Sequence, residues 1–120
     1  MKPKIRKTSF GSIHIGDEKY RHDIVISQDG SIKKRKKKLS KEIFGTSHII
    51  SLAEAEDIYE QGAELLIIGC GVNNLVKLSN EAAQFFENHK LNTILEATPR
   101  AAERWNEAEG KVIALFHITC

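Results

Sequence analysis

The sequence predicts an α/β fold in one domain, with parallel strands in its second half and antiparallel hairpins in its first, on three observations. An apolar run, Ala63-Glu64-Leu65-Leu66-Ile67-Ile68, stops abruptly at Gly69-Cys70-Gly71, the pattern of a buried strand that delivers its backbone to a tight turn. From residue 51 onward the period alternates as helix, strand, helix, strand, helix, strand, which by the right-handed crossover rule requires at least three parallel strands. Between residues 9 and 35 shorter apolar stretches are punctuated by turn residues, and Asp29-Gly30 between two of them is a strong hairpin signal.

In chain order, residues 1–8 read as a loosely ordered basic extension. Phe10, Ile13 and Ile15, then Tyr20, Ile24 and Ile26, give short strands with turns at Gly16-Asp17-Glu18 and Gln28-Asp29-Gly30. Leu39 to Phe44 is irregular or briefly helical, and Gly45-Thr46-Ser47-His48 breaks the pattern before Ile49-Ile50. Ser51-Leu52-Ala53-Glu54 is a capping box. The helix it opens carries Leu52, Ala55, Ile58 and Tyr59 on one face, leaves Glu54, Glu56, Asp57 and Glu60 on a solvated side, and stops at Gly62. The strand 64–68 follows. Ser79 caps a second helix with Ala82, Phe85, Phe86 and His89 along one side, and Leu91 to Leu95 is the next strand. Thr98-Pro99 opens a third helix, because proline in the first turn lacks only an N–H that would be unpaired there. Ala101, Trp105 and Ala108 form its buried stripe, Gly110 ends it, and Val112 to Ile118 is the last strand.

A hydrophobic fraction of 41% and a charged fraction of 28% are those of an ordinary globular protein, and no apolar run approaches the ~18 residues of a membrane span. The basic start lacks the apolar region of a secretory signal, so the expected location is cytoplasmic, with both cysteines reduced. The net charge of +2 conceals an uneven distribution. Lys33-Lys34-Arg35-Lys36-Lys37-Lys38 supplies six of the eighteen basic residues, and the remainder of the chain is net acidic.

Taken as a dinucleotide-binding fingerprint, Gly69-Cys70-Gly71-Val72-Asn73-Asn74 has two of three glycines, with Asn74 in the third place and Glu96 ending the next strand where a ribose-binding acid would sit. The helix cap at Ser79 comes too late for a pyrophosphate to meet a helix N-terminus. A thiol mechanism would pair Cys70 with His48 or His117, although a free cysteine is more often a small core residue. Strand alternation would send His117 and Cys120 to opposite faces, which argues against metal binding there. The run Lys33–Lys38 could attract phosphates or nucleic acid, but it lacks interleaved aromatics, and lysines on an exposed edge strand equally serve to prevent edge pairing.

At Gly45-Thr46-Ser47-His48, Leu66-Ile67-Ile68-Gly69-Cys70-Gly71, Thr98-Pro99-Arg100-Ala101 and Ala114-Leu115-Phe116-His117-Ile118-Thr119-Cys120 the chain resembles a small family. This is the domain of unknown function first seen in a methanogen protein and shared with the adipogenesis-associated protein and a mitochondrial complex I assembly factor. The resemblance extends from about Phe10 to Cys120 and includes Phe10-Gly11, Tyr20 and Asp23-Ile24-Val25. It implies a three-layer β/β/α domain: a mixed central sheet, helices on one side and the N-terminal β hairpin region on the other. No enzymatic activity is established for that family as a class, and the resemblance implies action through protein partners in its eukaryotic members. Relatives commonly carry Thr or Ser where this chain has Cys70, which speaks against a thiol mechanism shared by the family, and the presequence of the mitochondrial relative has no counterpart here.

The expectation is therefore a non-enzymatic binding or assembly-type protein, with no catalytic residue, metal or cofactor, that takes a protein partner or small anionic ligand. Its pocket would be lined by Thr46, Ser47, His48, Gly69, Cys70, Gly71, Thr98 and Pro99, since Gly69–Gly71 and Thr98-Pro99 follow the carboxyl ends of neighbouring parallel strands. The alternatives are a small thiol-dependent or nucleotide-binding enzyme built on Cys70 or the glycine turn, and weak nucleic-acid binding through Lys33–Lys38.

Overall fold

The structure is a computed structural model and describes residues 2–120. Strands β1 (Ile5–Ser9), β2 (Ser12–Ile15) and β3 (Glu18–Tyr20) form an antiparallel sheet in that order, and β4 (Ile24–Ile26) and β5 (Ile32–Lys34) form a hairpin turned at Asp29-Gly30. There follow α1 (Lys38–Phe44), β6 (Ile49–Ile50), α2 (Leu52–Ile58), β7 (Leu65–Cys70), β8 (Lys77–Leu78), α3 (Asn80–Asn88), β9 (Asn92–Glu96), α4 (Thr98–Glu107) and β10 (Val112–His117).

Of the loose extension expected over residues 1–8, residue 1 lies outside the described residues, and from Ile5 the chain is a strand, for which specific bonds supply the reason. Ile5 exchanges two hydrogen bonds with the Asn106 side chain, its N–H donating to Oδ1 at 2.9 Å and its carbonyl accepting from Nδ2 at 2.8 Å, while Trp105 Nε1 donates to the Pro3 carbonyl at 2.8 Å. The last turn of α4 thereby supplies partners that a sequence-local reading cannot see.

The central sheet has the order β5-β4-β10-β7-β9, with β10, β7 and β9 parallel and the β4–β5 hairpin antiparallel to β10. Alternation sends Leu66, Ile68, Ile113 and Leu115 to one face, against Ala55 and Ile58 of α2 and Ala82 and Phe86 of α3. Ile67, Val112, Ala114 and Phe116 go to the other, against Ile13 and Ile15 of the small sheet. Each fully buried large side chain contributes about 1.5–3 kcal/mol relative to exposure.

The β/β/α layers are present, with one refinement. Helix α4 lies on the face of the small sheet, its Ala101, Ala102 and Trp105 packing beside Ile5 and Ile13. The cause is topological. From β7 the chain moves outward to β9, then returns across β7 to β10, and a right-handed crossover that reverses direction must change faces.

The helix starts follow the sequence. Ser51 Oγ accepts from the Glu54 N–H and Ser79 Oγ from the Ala82 N–H, both at 3.1 Å, and α4 carries Pro99 in its first turn. Leu52, expected on the buried face of α2, is instead exposed at the first helical position.

Candidate functional site

Strand register aligns four residues across one end of the central sheet. Cys70 pairs with His117, and one position beyond the pairs Phe116–Ile24 and Ile24–Lys34 lie His117, Asp23 and Arg35. The Arg35 N–H donates to the Asp23 carbonyl at 2.9 Å, which extends the β4–β5 ladder by one rung. All four sit at the carboxyl end of the parallel strands, where open α/β sheets commonly build sites.

Arg35 is 3% exposed, although it lies in the middle of the most basic run of the chain. Alternation along β5 turns Lys33 and Arg35 toward α2, and there Glu54 and Asp57, three residues apart, occupy one helical face. The guanidinium donates from Nε to Glu54 Oε2 at 2.5 Å, from Nη2 to Glu54 Oε1 at 3.0 Å, from Nη1 to Asp23 Oδ2 at 2.9 Å and from Nη2 to the Ser47 carbonyl at 2.7 Å. Two expectations are corrected here. Glu54 is 0% exposed rather than on a solvated side, because it answers the Arg35 fork. The capping box is only half made, since the Ser51 N–H is taken by Ser40 Oγ at 3.0 Å, and Ser40 Oγ itself donates to Glu54 Oε1.

Asp23 is the joint of this network. Burial pushes its pKa up, but hydrogen bonds from the His117 ring and the Ile118 N–H, together with the charges of His117 and Lys37, outweigh burial and hold it at about 2. Burial likewise opposes the charge on Arg35, and the Glu54 and Asp23 carboxylates overcome it, raising its pKa.

Above this floor opens a cleft of about 470 Å³, lined by Arg21, His22, Asp23, Lys34, Arg35, Lys36, Lys37 and Lys38. Lys37 Nζ reaches Asp23 at 3.7 Å and Lys36 Nζ reaches Asp57 at 3.3 Å. Among the described residues, Arg21, Lys34 and Lys38 have no carboxylate within ion-pair distance. The basic run is thus divided by alternation and by the chain's turn into α1: its arginine is structural, Lys33 faces Asp57 of α2, and its other lysines surround an opening.

On the other side of Asp23 lies His117, with Nδ1 2.7 Å from Asp23 Oδ2 and Nε2 3.2 Å from Thr119 Oγ1. The His48 ring stands edge-on to it at 5.3 Å, and Cys120 Sγ lies 3.9 Å from His48 Nε2. One ligating atom from each of His48, His117 and Cys120 falls within 4.8 Å of the other two. This corrects the separation expected of His117 and Cys120: β10 ends at His117, so alternation no longer governs the residues after it. Burial, followed by the charges of His117, Arg35 and Lys37, lowers the pKa of the half-buried His48.

The glycine turn is a packed joint. A Cβ on Gly69 would stand 2.6 Å from the Phe116 ring, and one on Gly71, where φ is +91°, would stand 2.4 Å from the Cys120 carbonyl carbon. The Gly71 N–H donates to Thr98 Oγ1 at 2.9 Å, the Thr98 hydroxyl donates to the His117 carbonyl at 2.5 Å, and the Val72 N–H donates to the Thr119 carbonyl at 2.8 Å. Its donors therefore hold the end of β10 rather than face an opening. Burial pushes the Cys70 thiol up to about 11, away from the thiolate form that a nucleophile needs. Glu96 is committed to Arg104 at 2.7 Å.

Of the other residues expected in the pocket, Thr46 Oγ1 accepts from the His48 N–H at 3.1 Å, and Ser47 offers its carbonyl to Arg35. Pro99 lies apart from the basic cleft, lining a hollow of about 200 Å³ between α4 and β1. The structure gathers His48, Gly71, Thr98 and Cys70 around His117, and it adds Asp23, Arg35 and Glu54, which the sequence reading missed. The spacing of Lys33 and Arg35 against Glu54 and Asp57 was the signal that could have found them.

Residues 5–117 match the model of a family described as protein of unknown function (DUF498/DUF598). The conserved hypothetical protein PH1505 from Pyrococcus horikoshii OT3 is 30% identical, with a TM-score of 0.91 over 98% of this chain and 99% of its own. The solved protein MT938 is 31% identical, with a TM-score of 0.81 over 98% and 99% of the two chains. A Mth938-like domain from Bordetella pertussis, 15% identical with a TM-score of 0.65 over 97% and 85%, shares the fold.

Proposed function

We propose that this chain, which belongs to the DUF498/DUF598 family of proteins of unknown function, is a non-enzymatic binding protein for a small phosphorylated anion, held in the basic cleft between Arg21 and Lys38. One observation carries the reading. Arg35 is the main partner of both buried carboxylates beneath the cleft, and among the described residues Arg21, Lys34 and Lys38 around it have no carboxylate partner, so their field converges on an opening of ligand size. Lysine serves here as a point charge, suited to phosphate oxygens approached from several sides.

This relocates the ligand from the glycine turn, whose N–H groups are bonded within the fold, to the cleft that the same network supports. The lining has no Phe, Tyr or Trp on which a base could stack, which favours a small anion over single-stranded nucleic acid.

The test is an NMR titration of the full chain with inorganic pyrophosphate at low and at physiological salt. The expected result is saturable amide shifts at residues 21–23 and 34–38, weakened by salt and at least tenfold weaker in the Lys34→Ala, Lys38→Ala double variant. Unsaturable shifts, or shifts that persist unchanged in that variant, overturn the reading.

A further inference from the structure

We propose that His48, His117 and Cys120 form a binding site for a zinc-class divalent metal ion, at the end of β10 and on the opposite side of Asp23 from the basic cleft. Three features carry it. The three ligating atoms already lie within 4.8 Å of one another, whereas two ligands of one tetrahedral zinc ion stand about 3.3–3.8 Å apart, a spacing that follows from the usual Zn–N and Zn–S lengths. His48 and Cys120, at 3.9 Å, are close to that spacing. His48 sits in the segment between α1 and β6 and Cys120 lies beyond β10, so rotation of these two partly exposed side chains would make the remaining adjustment with the backbone in place.

The second feature is the anchoring of His117. Its Nδ1 faces the Asp23 carboxylate at 2.7 Å, and that carboxylate is fixed in turn by Arg35 and by the Ile118 N–H. A histidine that gives Nδ1–H to a buried carboxylate keeps the lone pair on Nε2, here 3.2 Å from the Thr119 hydroxyl that a metal ion would displace, and such a carboxylate orients imidazole ligands at metal centres and raises their basicity. The third is the ligand chemistry. Two imidazoles and one thiolate suit a borderline-soft ion, and three protein ligands leave a fourth position for water or an added ligand.

Electrostatic balance is compatible with a cation. Arg35 and Lys37 repel it, Asp23 attracts it, and Cys120 binds as thiolate with its proton released to solvent, so coordination adds a further negative charge at the site.

The test uses the full chain freed of any histidine tag. Cobalt(II) is added as a spectroscopic probe, and zinc affinity is read by competition. The expected result is one equivalent bound, with the thiolate-to-cobalt charge-transfer band and tetrahedral visible bands. Cys120→Ser should abolish the charge-transfer band, and His48→Ala should weaken zinc binding at least tenfold. Cys70→Ala should leave both intact, and circular dichroism verifies folding of each variant. Both mutated ligands are partly exposed, so these variants avoid the folding risk of replacing His117. No charge-transfer band in the parent chain, or an unchanged zinc affinity in folded Cys120→Ser and His48→Ala, overturns the proposal. The readouts are independent of anion binding in the cleft.

Discussion

The glycine turn after β7 and the basic segment after β5 exchange the roles that their sequences suggest. Gly69-Cys70-Gly71 reads as an opening for a ligand, yet it is closely packed, with the Phe116 ring, the Thr98 hydroxyl and the backbone of Cys120 filling the space a side chain would take. Lys33–Lys38 reads as solvated charge, yet it contributes the buried Arg35 about which Asp23, Glu54 and Ser47 are organised. Glycine at a strand end signals close approach, and the approaching group can be the protein itself. A run of like charges is not one object, because strand alternation divides it between a helix and the solvent.

The largest expected effect tests the second half of this contrast. Arg35→Met removes the cation buried between Asp23 and Glu54 and leaves two carboxylates undercompensated, at a cost of about 3–5 kcal/mol read by urea denaturation at neutral pH. A loss below about 1 kcal/mol would mean that water or Lys37 replaces the guanidinium, and the segment would then be surface after all. Gly71→Ala tests the first half. It places a Cβ against the Cys120 carbonyl in a left-handed conformation, with an expected loss of about 2–4 kcal/mol. A neutral outcome would mark the turn as an open edge.

The smallest effect is one of pH, and its sign is determined by Asp23. Its folded pKa of about 2 lies below the ordinary carboxylate value, so its contribution is fully present above about pH 4 and is lost as the pH falls through about 2. The pH-dependent part of the stability gap between the parent chain and Asp23→Asn should be about 2 kcal/mol at neutral pH and should close toward pH 2. A gap that does not change with pH would detach Asp23 from the His117 and Arg35 network.

Local signals carried most of the fold. The Ser51 and Ser79 caps, Pro99, and the periods of α3, α4 and β7 each depend on neighbours within a few residues, and these elements stand where the sequence suggests. What escaped was set by distant partners. Ile5 is a strand because Asn106 meets it, and α4 changes faces because β10 inserts between β4 and β7. The site escaped for the same reason: only register brings Asp23, Arg35 and His117 into one row, and only the packing of α2 on the sheet brings Glu54 to Arg35. His117 and Cys120 were separated by carrying strand alternation past the end of the strand.

The central position of β10 bears on how the chain can fold. This strand comes after every other strand of its sheet, yet it joins β4–β5 to β7–β9, and the Ile118 that follows it accepts from the Gly11 N–H at 2.7 Å. Until Val112–His117 is available, the domain is two half-sheets whose facing edges carry unpaired backbone and apolar side chains, Ile24 and Ile26 on one and Leu66 and Ile68 on the other. Folding therefore depends on pairings of long sequence separation and cannot be completed before β10 is made, and a nascent chain halted before Val112 exposes two sticky edges at once.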